Sequence, residues 1–312
     1  MKPLTRLNTV VTTVFTLFFA GSLPALAGVS FKETAPAMRD EVPADEINLK
    51  LEQTFQSDFE QGHGYSEKHP GDNNNTNTWH YEVEAARRVE LTDHWYLKLG
   101  IDWERFDFGD NRSLAPNTLQ SYAAVIALEY WQHGQIGFFI ESKPGLYFAH
   151  ELSGDAFDAP TNVALAYPIV DDTFYIIGGI TASRFREYPV LPIGGVLWHI
   201  NEKWDLRAYL PEPKLVYKTS EHLELWGGGE IAGSQFRNDS FVGVQSSVSK
   251  QPVEYYELRA GGGLYWTGWK WLRLEFAAGY AFERKFVFYD TNVPDQETKG
   301  APYVKLQGVW QF

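Results

Sequence analysis

The chain of 312 residues contains no cysteine, so neither disulfides nor thiol chemistry can contribute to its rigidity or activity. Methionine is almost as scarce, at 2 residues, which removes the pliable thioether surfaces of promiscuous binders. Bases are outnumbered, 27 Lys and Arg against 40 Asp and Glu, leaving a formal net charge of −13. That sign opposes nucleic-acid binding, which depends on neutralising phosphates. Beyond the N-terminal region, no apolar run approaches the ~20 residues of a membrane helix. The mean hydropathy of −0.32 is that of a polar chain. Against these shortages stands an excess of aromatics, 16% of residues including 11 Trp.

The first residues differ from the rest. Lys2 and Arg6 form a basic start, Val10 to Ala20 an apolar stretch, and Ala25 and Ala27 a small-residue cleavage site. That order reads as a secretory signal peptide, too short for a membrane anchor. The chain then divides into a signal peptide (1–27), a short N-terminal segment (28–46) and a long remainder (47–312).

Period two dominates that last part. Ile47, Leu49, Leu51, Phe55 and Phe59 alternate with Lys50, Glu52, Thr54 and Asp58. Trp79, Tyr81, Val83, Ala85 and Val89 alternate with His80, Glu82, Glu84, Arg88 and Glu90. Leu272, Leu274, Phe276, Ala278, Tyr280 and Phe282 oppose Arg273, Glu275 and Glu283. Side chains alternate across a strand, so each segment has one apolar and one polar face. A soluble sandwich would bury the apolar faces. A transmembrane barrel turns them to lipid and keeps the polar faces in the lumen. Several segments far outrun the ~5–6 residues of a globular strand, which favours the barrel over 47–312.

Tryptophan placement points the same way. Trp95, Trp131, Trp198, Trp204, Trp266, Trp269 and Trp271 lie in or beside short polar connections, and Trp310 beside the C-terminus. Trp favours the membrane–water interface, so this row reads as a girdle and the short connections as periplasmic turns. The longer connections at 60–77, 108–117, 151–160, 238–252 and 288–300 then face outside. Six short turns with both termini periplasmic require 14 antiparallel strands, provided that 204–218 folds into a hairpin at Pro211–Glu212–Pro213. Twelve is the alternative. Trp310 and Phe312, on one face of the final segment, read as a signal to the barrel-assembly machinery.

Two stretches carry a resemblance. INEKWDLRAYLPEPKLVYKTSEHLELWGGGEIAGSQFR (200–237) and LRLEFAAGYAFERKFVF (272–288) resemble an uncharacterised family of bacterial outer-membrane β-barrel proteins. The first is like that family's short Pro-containing strands and Gly-rich strand, the second like its Gly-Tyr-x-Phe-x-Arg-Lys segment. The resemblance implies outer-membrane lipid and lipopolysaccharide as surroundings, and implies no activity.

Chemistry-bearing motifs are thin. His63, His69, His150, Glu151, Ser153 and Asp155 fall in or near loops, but a triad is defined by geometry rather than spacing. Asp155 and Asp158, or Asp290, Asp295 and Glu297, match no calcium loop. GGGE (227–230) lacks the strand–loop–helix setting of a phosphate cradle. No catalytic residue, cofactor or metal is therefore assigned. The inward face is more informative. It carries Glu52, Glu82, Glu84, Asp102, Glu257 and Glu275 with Arg88, Arg259, Arg273 and Lys305, and acids outnumber bases along it. The expected function is a passive or weakly cation-selective channel for small solutes. One alternative is a structural barrel whose charges are cross-strand partners. The other is a lipid-directed barrel, a rim enzyme or apolar-solute transporter, using the stretch 162–198, which is apolar on both faces. Unheated protein in SDS is expected to migrate apart from boiled protein, because a closed barrel resists the detergent. Recovery in a soluble fraction without detergent would overturn the membrane reading.

Overall fold

A computed structural model describes residues 43–59, 75–109, 115–130, 132, 135–149, 152–170, 172–238, 251–289 and 295–312. The signal-peptide reading (1–27), most of the segment 28–46, Trp131, His63, His69, His150, Glu151 and Asp290 lie outside the described residues.

The chain forms an antiparallel barrel of 14 strands. They are β1 (Asp45–Asp58), β2 (Asn75–Thr92), β3 (Trp95–Asp107), β4 (Thr118–Tyr130) and β5 (137–148, interrupted at Lys143–Pro144). Next come β6 (157–170, interrupted at Ala159–Pro160), β7 (Phe174–Ala182), β8 (Val190–Asn201), β9 (Trp204–Tyr209) and β10 (Lys214–Ser220). Last are β11 (Leu223–Asn238), β12 (Gln251–Trp269), β13 (Leu272–Phe288) and β14 (296–311, interrupted at Lys299–Gly300). The one helical turn among the described residues is a 3-10 turn at Gly154–Ala156. Each strand pairs with its neighbour in sequence. β14 returns to β1 in register from Glu46↔Gln311 to Thr54↔Tyr303, so no edge is left along the closing pair.

Burial is inverted relative to a soluble protein. On β1, Leu49 is 40% and Phe55 41% exposed, whereas Asn48 is 2%, and Glu52 and Thr54 are 1% exposed. Apolar side chains outside and polar ones inside are stable only when the surrounding solvent is hydrocarbon. Closed, with a lipid face and a polar interior, the protein is a multi-pass barrel of the bacterial outer membrane.

The hairpin at Pro211–Glu212–Pro213 is present, and it is short. β9 and β10 have 6 and 7 residues, and only Trp204 to Arg207 pair with Lys214 to Tyr217. Proline cannot donate to a ladder, so the flanking prolines end both strands below the loop rim. Strict alternation fails in more than one place. On β1 the register shifts between Thr54 and Ser57, so Phe59, expected outside, is buried in the interior, and Asp58, expected inside, is exposed. At the bulge between Leu258 and Arg259, Leu258 opposes Glu283 but Arg259 opposes Ala281. The extra residue reverses the phase of β13. Glu283 and Lys285, expected inside, therefore face away from the lumen, and Arg284 points in, 1% exposed. Arg87 and Arg105, on the lipid face by alternation, pair with Asp45 at 3.7 Å and Asp107 at 3.3 Å near opposite rims.

The Phe312 backbone ties the closing strand, with Ala44 and Asp45 N–H donating to its carbonyl at 3.0 and 3.1 Å and its own N–H donating to Asp45 at 2.9 Å. Deleting Phe312 is expected to lower the folded, heat-modifiable yield far more than deleting Asn73 and Asn74 from the first long connection. Equal yields would count against it.

The lumen as candidate functional site

One side of the lumen is packed solid. The inward residues of β13 beside Arg259 are small, Ala277, Gly279 and Ala281. A Cβ on Gly279 would lie 2.7 Å from the Tyr303 ring. That space lets Arg259 reach past β13 and β14, over Tyr303 at 4.8 Å, to Glu52 on β1. Arg259 also binds Glu257 at 2.7 Å and lies 3.8 Å from Glu230. Glu257 further accepts hydrogen bonds from Thr54 at 3.1 Å and Arg284 at 3.3 Å. His80 bridges Glu52 at 2.9 Å and Glu104 at 3.0 Å. These contacts span the interior instead of running only between neighbouring strands, so this half of the lumen is filled.

Toward the periplasmic rim a second belt follows. Arg88 binds Glu129 at 2.9 Å and Glu46 at 3.4 Å. Two like-charge pairs, Glu82↔Glu104 and Glu84↔Asp102, face each other directly on β2 and β3, which would be destabilising alone. Lys50 meets Glu82 at 3.1 Å, Lys98 meets Glu84 at 2.8 Å, and Lys143 meets both Glu84 and Asp102 at 3.0 Å. His80, Glu82 and Glu104, and likewise Glu82, Glu84 and Asp102, are close enough to hold a cation. Lysines and the His80 imidazole already occupy these oxygens.

The opposite wall is wetter. Lys214 bonds the Tyr265 hydroxyl at 2.9 Å, lies 3.5 Å from Glu275 and sits over the Trp226 ring at 4.5 Å. Lys305 meets Glu275 at 3.3 Å, and Arg273 stacks on Tyr265 at 4.0 Å. Asp205 holds His199 at 2.7 Å and Lys218 at 3.0 Å. The exposed charges of this wall lie at the short-turn mouth, where the Lys218, Glu224 and Arg273 side chains are 37%, 23% and 21% exposed, whereas the deeper Lys214, Glu275 and Lys305 are buried. Beside them the inner wall of β6–β8 is uncharged, presenting Ala164, Ala166, Ile177, Gly179, Ile193 and Leu197.

The loop end of the packed side is aromatic. Phe106, Phe108, Phe236, Tyr255 and Phe286 form one buried cluster, with Phe108 4.7 Å from Tyr255 and 4.8 Å from Phe286. Phe185, from the connection between β7 and β8, joins it. His80 stacks on Phe106 at 3.9 Å, linking this fill to the ion pairs.

Of the residues singled out in sequence, Glu52, Glu82, Glu84, Arg88, Asp102, Glu257, Arg259, Glu275 and Lys305 are buried in this interior, and Arg273 lines its wetter side. Lys143 and Arg284 were missed. Lys143 is in phase with the inward Phe139 and Glu141 but stands in the strand break before Pro144, and Arg284 follows the bulge, where alternation points the wrong way. Trp95, Trp204, Trp266, Trp269, Trp271 and Trp310 sit at or next to the short-turn rim, where Trp269 and Trp271 stack at 5.1 Å. Trp198 lies slightly deeper, packed on Phe174. Ser153 stands at the N-cap of the 3-10 turn at Gly154–Ala156. Asp155 pairs with Arg237 at 3.5 Å.

Fold and lumen together define an integral outer-membrane β-barrel. The chain matches no family model and no curated protein. Among solved structures it is similar to an outer membrane channel from Pseudomonas putida F1, with 11% identity over 87% of this chain and 96% of that one (TM-score 0.47). It is also similar to the P. putida toluene transporter TodX, with 8% identity over 87% and 90% (0.47). A third is the translocator domain of autotransporter NalP from Neisseria meningitidis, with 10% identity over 98% of each chain (0.36).

Replacing Arg259 by Met leaves Glu52 and Glu257 short of their buried countercharge. The expected loss is about 3–5 kcal/mol in reversible urea unfolding from lipid vesicles. Glu224→Gln, at a partly exposed pair, is expected to cost below ~1 kcal/mol. Equal effects would show that the two sides are solvated alike.

Proposed function

We propose that the protein is a channel for small solutes, described in its closed state. The observation carrying this reading is the unequal filling of the lumen. Residues on β10–β13 keep water-exposed charged groups, Lys218, Glu224 and Arg273, at the short-turn mouth of this side of the lumen, whereas the other half is closed by ion pairs. A purely structural barrel has no need of a wet inner wall. Fourteen strands also enclose more width than the 8-stranded type whose interior side chains fill it.

The solute route runs beside the uncharged β6–β8 wall and the charged groups of β9–β13. Its lining suits small molecules with an apolar face and one polar end. Charge selectivity is weak, because the carboxylate excess lies mainly in the packed half, where Lys50, Lys98, Lys143, Arg259 and Arg284 compensate it. On this wall Lys214, Lys218, Arg273 and Lys305 outnumber Asp205, Glu224 and Glu275, so any preference for cations comes from the acid excess of the lumen as a whole. No catalytic step is assigned to the protein.

The test is flux through purified protein in liposomes, with reversal potential measured under a KCl gradient. A small cation preference is expected at 0.1 M and loss of it at 1 M, as the Debye length falls from ~10 to ~3 Å. Ala166→Trp, which narrows the uncharged wall without touching an ion pair, is expected to reduce flux of a small uncharged solute. Absence of any flux from correctly folded protein would favour the filled structural barrel. Anion preference would overturn the charge argument.

A further inference from the structure

The barrel wall is not a simple ring at its loop end. β5 and β11 are separated in the circumference by β6–β10, yet Arg237 registers in parallel with Phe148. The Ala149 N–H donates to the Arg237 carbonyl at 3.0 Å.

Both strands are bent to meet. β5 breaks at Lys143–Pro144, level with the break in β6, where the Lys143 N–H donates to the Pro160 carbonyl at 2.9 Å. Proline supplies no donor at either break, so the ladder is interrupted at one height on two adjacent strands. β11 turns at Gly233, with φ of 133°, a conformation closed to other side chains. A Cβ there would lie 2.0 Å from the Tyr255 carbonyl oxygen.

Beyond these bends β11–β14 and β1–β5 close on themselves around the aromatic cluster. β8 then runs over their outside. Leu191 and Ile193, from its inner face, pack against Ile231, Tyr256, Leu258 and Val287, which by register point away from the cluster. This is the cover that the apolar inner wall of β8 lacked in the sequence. Phe185 alone of the β7–β8 connection joins the cluster. Its segment is tied down by Ser183, whose hydroxyl donates to Asp158 at 2.6 Å, and by the Arg184 N–H to Asp158 at 3.3 Å.

The contact holding this arrangement is one backbone pair and the edge of the aromatic cluster, where Tyr147 of β5 and the adjoining Ala149 meet Phe236 of β11, the two rings 6.3 Å apart. β11 and β12 register continuously from Leu223 to Asn238, whereas β5 and β11 share a single registered pair. The accompanying Arg237–Asp155 ion pair spans 3.5 Å with Asp155 72% exposed, and exposed pairs add little. Segments with few contacts open before the rest of a structure does.

We propose that the β5–β11 seam is the gate of the barrel. Parting it withdraws Phe185, joins the aromatic-filled compartment to the wet side along β6–β11, and opens the lumen at its loop end. The bends at Pro144 and Gly233 are the hinges. This assignment rests on the channel reading for its consequence, though not for its geometry.

Because the chain has no cysteine, the double variant Phe148→Cys, Arg237→Cys can form one disulfide only. Cα atoms paired across strands lie within the ~4.4–6.8 Å that a disulfide spans. In liposomes, the oxidised form is expected to pass a small uncharged solute at least about tenfold more slowly than the reduced form, the open population having been removed. Equal flux in both forms overturns the proposal. Should neither form pass solute, the channel reading fails on its own, and amide hydrogen exchange decides the seam. Slower exchange of 145–149 and 183–189 on oxidation shows that the seam opens, and unchanged exchange shows that it does not. Asp155→Cys with Arg237→Cys, which replaces the exposed ion pair across the seam and is joined by a short bifunctional thiol reagent, provides the same comparison if Phe148→Cys does not fold.

Discussion

Hydrocarbon outside the barrel is the constraint from which the rest follows. Lipid accepts Leu49, Leu51 and Phe55 but hydrogen-bonds to nothing, so every polar group must be satisfied by the wall or in the interior. The wall answers by closing β14 on β1. The interior answers with countercharges. Glu52, Glu257 and Arg259 are almost completely buried, and such groups persist only when each finds a partner. The cross-lumen reach of Arg259, through the space left by Gly279 and Ala281, is one consequence of that demand.

Filling one half of the lumen so densely leaves the other half different in kind. Short strands β9 and β10 add only Asp205, Lys214 and Lys218 to the ion-pair lattice, and the apolar faces presented by β6–β8 add nothing to it. There the interior stays partly wet, and there the proposed solute route lies. The same short hairpin leaves the upper ends of β8 and β11 without a neighbour between them, and the ends of β11–β13 turn inward beneath β8. Partition of the lumen and the short contact of β5 with β11 are therefore two results of one local shortfall in strand length.

Much of the architecture is legible in residue order. Alternation identifies strands because side-chain direction is a local property of an extended backbone, and that holds for β1 and β2 over nearly their whole length. Turn composition supplies the strand count, including the hairpin at Pro211–Glu212–Pro213, because proline acts on its own ladder position. Legibility ends where the phase changes. One extra residue beside Leu258 exchanged Glu283 and Lys285 for Arg284, and nothing local announces a bulge whose position depends on the facing strand.

Residue order by itself thus determined the class of fold, the lipid-facing surface and most of the buried charges, since each depends on neighbours a few positions apart. Tertiary structure alone decided which charges meet. Arg259 and Glu52, or Lys143 and Asp102, are brought together only when a curved sheet closes and opposite walls come within side-chain reach. It also decided that β5 touches β11. That contact depends on the summed bends at Pro144 and Gly233 and on the missing height of β9 and β10, quantities that belong to the closed barrel and to no single segment of it.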